Sequence, residues 1–311
     1  MLDAVTFGEA LATFVALDEG DLASVSRYER ILAGAEVNVA IGLARLGHTA
    51  GYVTRVGDDP FGRFVRAAIA DAGVDASMIE TDRDAPTAFQ LKAHAGGGDP
   101  ETHYFRRGSS GTRLAPSPAT DAYVRAARHL HVTGIPLALS DTARAFAARA
   151  VEVATGTISF DPNLRPVLWG SEAEMVREIN GLATRSHWVL PGLTEGELLT
   201  GAPDAAGIAA FYLERGVQLV AVKCGARGAE LFTADGAHHT AGAFDVDTVD
   251  TVGAGDGFAA GLISAGLDGL DPAAALQRAA AVGALATTSA GDSDGLPTRA
   301  ELDAFIARAC A

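Results

Sequence analysis

The chain is poor in sulfur and in positive charge. Its 311 residues include two cysteines, Cys224 and Cys310, too few for a disulfide framework, so both read as free thiols of a reducing compartment. Cys224 follows a predicted strand and reads as a small buried side chain. Lys and Arg number 24 against 39 Asp and Glu, a formal net charge of −15, which argues against nucleic-acid and anionic-membrane partners. An anionic substrate would then have to be met by locally placed Arg or Lys, because the global field repels it. No apolar run is long enough to span a bilayer; the Ala-rich residues 272–290 are interrupted by Gln277 and Arg278. The first nine residues lack a basic region and read as a core strand rather than a signal peptide, and the expected location is cytoplasmic. The histidines do not cluster at metal-ligand spacing, His238-His239 reading as an exposed hairpin pair, so no zinc centre is expected. No glycine-rich loop ends in Gly-Lys-Ser/Thr, which excludes a Walker site. Internal repeats, low-complexity linkers and charge blocks are also missing.

What remains is an apolar chain, 48% hydrophobic, with ample material for one large core. Strands are predicted over residues 4–8, 12–17, 28–32, 51–56, 129–133, 157–161, 187–190, 218–223 and 238–246. Helices are predicted over residues 35–46, 63–72, 141–154, 172–183, 205–215, 272–289 and 299–309. Strands alternating with helices imply an α/β fold with a doubly wound, mostly parallel sheet, whose ligands sit at the carboxyl ends of strands. Residues 87–95 and 102–107 read as a hairpin around the loop Gly96-Gly97-Gly98-Asp99-Pro100. Together with residues 12–17 they form a small separate sheet.

The most informative stretch is Val249-Asp250-Thr251-Val252-Gly253-Ala254-Gly255-Asp256-Gly257-Phe258. It is a small-residue loop running into a buried helix. Free backbone N–H groups and the helix dipole at such an N-terminus suit an anion, above all a phosphate in transfer. Asp256, in the first turn, is placed to take a proton from an attacking hydroxyl, and the dipole is expected to keep it ionised. A bare Gly-Ala-Gly-Asp, taken alone, reads more readily as a tight turn with a capping aspartate. Phe258 stands where a dinucleotide fingerprint has its third glycine. Elsewhere, Asn38 sits one turn into the helix that Gly34 opens, where an amide can bind a polyol hydroxyl as donor and acceptor together. Alternation puts Tyr104 and Arg106 on one strand face, and guanidinium suits a carboxylated sugar, whereas Arg107 reads as an exposed charge. Asn163, Glu195, Lys223 and Asp256 all closely follow predicted strands and can converge.

Asp250-Thr251-x-Gly253-Ala254-Gly255-Asp256 strongly resembles the signature of ribokinase-like carbohydrate kinases of the phosphofructokinase-B type. The resemblance covers the chain from Gly8 to Pro297. It implies a single kinase domain over residues 1–311, with a β-sheet lid from residues 10–33 and 86–112 and homo-oligomerisation through that lid. Gly253, Ala254, Gly255 and Asp256 would be the anion hole and catalytic base. Gly34-Ala35-Glu36-Val37-Asn38, Tyr104-x-Arg106, Asp161-Pro162-Asn163-Leu164-Arg165 and Gly291-Asp292-x-x-Gly295 are similar to the 2-keto-3-deoxygluconate kinases within this family. By that similarity Gly34, Asn38, Gln90, Tyr104, Arg106, Arg165, Asp256 and Asp292 bind the sugar acid. Asn163, Arg165, Lys223, Gly225, Ala226, Arg227, Gly228, Gly253 and Gly255 hold ATP, and Glu195 holds Mg²⁺ through water. A monovalent cation near Asp250 and Val252 is a further implication. Gly192 replaces the Asn of the family's Asn-x-x-Glu motif, Gln90 stands where a tyrosine is common, and Ala280 stands where many members carry an adenine-side Asn. The alternatives are a fructokinase or ribokinase, or a sensor on the same fold without catalysis.

Overall fold

Short apolar strands without polar faces must be covered on both sides, and the computed structural model, which describes residues 2–94, 100–289 and 291–309, resolves this as a helix-flanked sheet. Its strands in chain order are β1 (Ala4–Phe7), β2 (Leu11–Ala16), β3 (Tyr28–Ala33), β4 (Ala50–Gly57), β5 (Ile79–Asp82), β6 (Phe89–Lys92), β7 (Thr102–Phe105), β8 (His129–Thr133), β9 (Thr157–Asp161), β10 (Trp188–Val189), β11 (Leu219–Lys223), β12 (Ala229–Thr233) and β13 (His238–Ala241). The large sheet runs β13-β12-β11-β10-β9-β8-β1-β4-β5, parallel from β11 to β5, with β12 and β13 antiparallel at one edge. Its order reverses at β1, which pairs with β4 on one side and β8 on the other, and that reversal opens a crevice at the carboxyl ends.

Alternate residues of each strand feed separate cores. On β11, Val220 and Val222 enter the core under helices Asp141–Val153, Glu172–Ala183 and Ala205–Leu213. Ala221 enters the core under helices Ala35–Arg45, Ala254–Leu267 and Pro272–Ala286. Helix Ala254–Leu267 is apolar almost all round, and residues 256–265 are all buried. It lies against helix Pro272–Ala286 through glycines: a Cβ at Gly261 would stand 2.8 Å from the Ala279 Cα.

The second sheet has the order β3-β2-β6-β7, with β2 and β6 parallel. One face of β6 carries Phe89, which packs with Phe14, Phe61 and Phe105. Gln90 and Lys92 point the other way and are buried, so that face of the strand is polar yet excluded from water.

The structure trims several predicted spans and adds elements. Residues 238–246 are a strand only to Ala241, because β12 begins at Ala229 and leaves nothing beyond to pair with. The hairpin strands shorten to β6 and β7, and Gly96 to Asp99 lie outside the described residues, as does Cys310. β5 escaped notice because Ile-Glu-Thr-Asp is a short polar edge strand. Helix Pro118–Arg125 begins behind a Ser117/Thr120 capping box, a signal the sequence carried unread.

The glycine-mediated helix contact gives a two-sided test. Gly261→Ala meets backbone and should cost about 1–3 kcal/mol by overpacking. Gly181→Ala, in an exposed turn of Glu172–Ala183 with nothing in reach of the new methyl, should gain roughly 0.5–1 kcal/mol. Urea midpoints at unchanged m-value check both signs.

Candidate active site

The N-terminus of helix Ala254–Leu267 is shaped by glycines that cannot be replaced freely. Gly253, its N-cap, has φ 85°, and a Cβ there would meet the Asp292 carbonyl oxygen at 2.5 Å. A Cβ on Gly255 would press to 3.4 Å from Lys223 Nζ. The Asp250 Oδ1 accepts the Val252 N–H at 3.0 Å, and the N–H groups of Val249 and Asp250 donate to the Thr287 carbonyl. The turn is therefore fixed from both sides, and the Ala254 N–H donates within it to the Thr251 carbonyl at 3.3 Å.

Asp256 is buried, and its Oδ2 accepts the Asn38 Nδ2 at 2.8 Å. The dipole does not keep this carboxyl low, as the sequence led one to expect. Burial, with Asp161 and Glu36 nearby, pushes its pKa up to about 8 against the opposing pull of Asn38 and Lys223. Glu36 shares this fate: burial raises it to about 7 although Thr133 Oγ1 donates to it at 2.5 Å. Lys223 forms a 2.6 Å ion pair with Asp161 Oδ2. Burial pulls the Lys223 pKa down, but the carboxylates of Asp161, Glu195 and Asp256 outweigh it and raise the ammonium above its ordinary value.

Asp256 opens into a cleft of about 320 Å³ between the carboxyl ends of the large sheet and the polar face of the small one. From the small sheet and the first helix it gathers Gly34, Asn38, Gln90, Tyr104 and Arg106. From the large sheet and its loops come Asn163, Arg165, Glu195 and Lys223, with Gly253, Gly255 and Asp292 at the helix end. A second cavity of about 420 Å³ lies on the other side of the turn, lined by Gly225, Ala226, Gly228, Ala254, Phe258 and Ala280. The two cavities share Lys223, Thr251 and Gly255. Arg227 lines neither and is exposed. A larger depression of about 930 Å³ lies beside Phe244 and Phe305; it borders the second cavity at Ala243 and Phe244 but is lined by none of the residues just named for the two cavities.

Some side chains are placed but already engaged. Arg106 reaches the cleft with its guanidinium 5.3 Å from the Tyr104 ring centroid, yet its Nε and Nη2 donate to the Glu9 Oε2 at 2.7 and 2.6 Å. Arg165 sits exposed at the rim, donating to the Leu164 carbonyl. Both Glu195 oxygens accept backbone N–H groups, from Leu164 at 2.7 Å and Gly192 at 2.8 Å. Gly192 thus contributes its N–H where the family's motif has an Asn. Among the described residues no group of three His, Cys, Asp or Glu side chains stands close enough to hold a metal directly. Three amide oxygens in the cleft, Asn38 Oδ1, Gln90 Oε1 and Asn163 Oδ1, are buried without a partner. Such acceptors call for donors from a ligand.

Glu9, Lys92 and Asp161 also line the cleft and were missed as site residues. Asp161 ends β9 and Glu9 lies two residues beyond the end of β1, positions that favour a site. Lys92 has the same strand parity as Gln90, and a lysine on the inward face of a strand is a signal in itself.

The pattern described as "pfkB family carbohydrate kinase" matches residues 1–299. A 2-dehydro-3-deoxygluconokinase of Bacillus subtilis (strain 168) is 46% identical over 309 residues, covering 98% of this chain and 95% of the relative. Fructokinase-2 of Solanum lycopersicum is 33% identical, with 96% and 94% covered. The solved structure of a putative Ribokinase II from E. coli in complex with ATP and Mg²⁺ superposes with a TM-score of 0.91 at 27% identity, covering 99% of this chain and all of that one. A match over nearly the whole chain shows that this chain belongs to the pfkB family of carbohydrate kinases.

Proposed function

We propose that the protein transfers the γ-phosphoryl group of ATP to the terminal hydroxyl of 2-keto-3-deoxygluconate, giving the 6-phosphate. The observation that carries this reading is the meeting of two cavities at the helix N-terminus, with Asp256 on one side of it only. The apolar cavity beside Ala280 and Gly225 receives the nucleotide base, and the polar cleft receives the sugar acid. The phosphate chain lies between them, near Lys223 and the N-terminus of helix Ala254–Leu267.

In the transfer, Asp256 accepts the proton of the attacking hydroxyl, and the helix end and Lys223 stabilise the charge that builds on the phosphoryl group. Catalysis is then positioning and electrostatics. Asn38 holds the Asp256 carboxylate with its amide nitrogen and leaves its oxygen for a substrate hydroxyl, which divides a role first assigned wholly to the sugar. The unpartnered oxygens of Gln90 and Asn163 suit a polyol in the same way. The paired oxygens of Glu195 and Asp161 keep lone pairs for water, which fits a hydrated Mg²⁺ rather than one bound directly. Magnesium bound there would neutralise phosphate charge. Residues 10–33 and 86–112, which carry the small sheet, act as the lid that excludes water from the cleft.

The similarity to the Bacillus subtilis enzyme supports the sugar acid, as does Arg165, whose guanidinium has no carboxylate partner among the described residues. One observation favours a neutral sugar such as fructose: Glu9 already neutralises Arg106.

A protonated Asp256 cannot act as base, so activity should be present above its pKa and lost below it. kcat/KM should fall about tenfold per pH unit below about 8 and level off above. Asp256→Asn should lose roughly 10²–10⁴-fold in turnover and this pH profile, while still binding ADP. A mutant within a few-fold of wild type removes Asp256 from the base role.

Glu195→Gln should shift the Mg²⁺ titration of turnover to higher concentration. An unchanged curve argues that the ion is held elsewhere.

Arg165→Ala should reduce kcat/KM for 2-keto-3-deoxygluconate by about 10–100-fold, the worth of a charge-assisted hydrogen bond, with far less effect on fructose. Arg106→Ala is a poor probe, since it strands the buried Glu9 carboxylate. Wild type preferring fructose replaces the sugar acid with the neutral sugar.

A further inference from the structure

Lys92 lies at the end of β6, in the small sheet, yet its charge is used elsewhere. The side chain is 3% exposed, and Nζ stands 2.7 Å from Asp250 Oδ2 and 2.9 Å from Asp292 Oδ1. Both acceptors are themselves buried, at 3% and 6%. They frame the phosphate turn. The other oxygen of Asp250 takes the Val252 N–H, and the Asp292 carbonyl oxygen is the atom that a side chain at Gly253 would strike. Lys92 thus ties β6, the loop entering helix Ala254–Leu267 and the loop after helix Pro272–Ala286 to one ammonium. Without it, two carboxylates would face each other out of water, and both could not remain ionised.

A free monovalent cation beside Asp250 and Val252 does not fit this arrangement. The Lys92 ammonium already stands 2.7 Å from Asp250 Oδ2 and neutralises that carboxylate, and a second cation beside it would be repelled. We propose that Lys92 is a built-in monovalent cation: a positioning residue that neutralises Asp250 and Asp292, keeps the turn at residues 250–253 in its phosphate-receiving form, and makes nucleotide binding and turnover independent of free potassium. The proposal rests on the kinase reading above for its turnover arm but not for its nucleotide-binding arm. Because Lys92 also lines the cleft, the same contact joins the sheet over the sugar to the turn under the phosphate.

The test measures ADP affinity by calorimetry and turnover with 2-keto-3-deoxygluconate, for wild type, Lys92→Ala and Lys92→Met, in potassium, ammonium, methylammonium or choline at equal ionic strength. Wild type should change less than about twofold between potassium and choline. In choline, Lys92→Ala should lose about 10–100-fold, the worth of a charged hydrogen bond, and regain most of it in potassium, ammonium or methylammonium. Lys92→Met fills the same space without charge and should be impaired and not rescued. A merely structural lysine would show no rescue by small cations. Three outcomes overturn the proposal: wild type stimulated more than about tenfold by potassium, Lys92→Met as active as wild type, or a folded Lys92→Ala that no cation rescues. The wild-type arm decides the matter even where both variants fail to fold. Wild type that binds ADP equally in potassium and choline but phosphorylates no sugar acid sinks the substrate assignment and supports the role of Lys92.

Discussion

Negative charge taken out of water has to be matched where it stands, and the crevice of this protein is organised by that requirement. Glu9, Glu36, Asp161, Asp250, Asp256 and Asp292 are all under a tenth exposed, in a chain that already carries a net charge of −15. Arg106 answers Glu9, Lys92 answers Asp250 and Asp292, and Lys223 answers Asp161. Glu36 and Asp256 receive only neutral donors, Thr133 and Asn38, and these are the carboxyls whose pKa rises to about 7 and about 8. Burial raises Glu9 and Asp292 as well, but there Arg106 and Lys92 oppose the shift, whereas Glu36 and Asp256 have no cation in direct contact to hold the carboxylate.

The strand and helix alternation was legible because buried parallel strands are written as short apolar runs, and β8, β9 and β11 lie where those runs are. What failed was local. A strand stops when its neighbour stops, so β13 ends at Ala241 although apolar residues continue, and no periodicity within residues 238–246 carries that information. β5 is polar and at an edge, and its existence depends on β4 rather than on its own composition.

The site was legible in its glycines and aspartate, whose spacing along one loop is a local property. Its cations were harder to read. The ion pairs join Arg106 to Glu9, Lys92 to Asp250 and Asp292, and Lys223 to Asp161, partners remote in sequence that only the folded chain brings together. Arg106 was correctly placed at the cleft, but nothing near it in sequence announced Glu9 as its partner. Asn38 was likewise recognised as a polar group on the first helix, and its contact with Asp256, 218 positions away, could not be.

Helix Ala254–Leu267 is buried along residues 256–265, and glycines let its neighbour approach to backbone contact. A helix seated like that has no freedom to follow a change of acceptor. The small sheet meets the cleft through Gln90, Lys92, Thr102 and Tyr104 of β6 and β7, with Leu11 of β2 and Ala33 of β3, and its far face carries an aromatic cluster. A change of acceptor is therefore more easily accommodated at alternate positions of the small sheet's short strands than at the helix end, which the core holds in place.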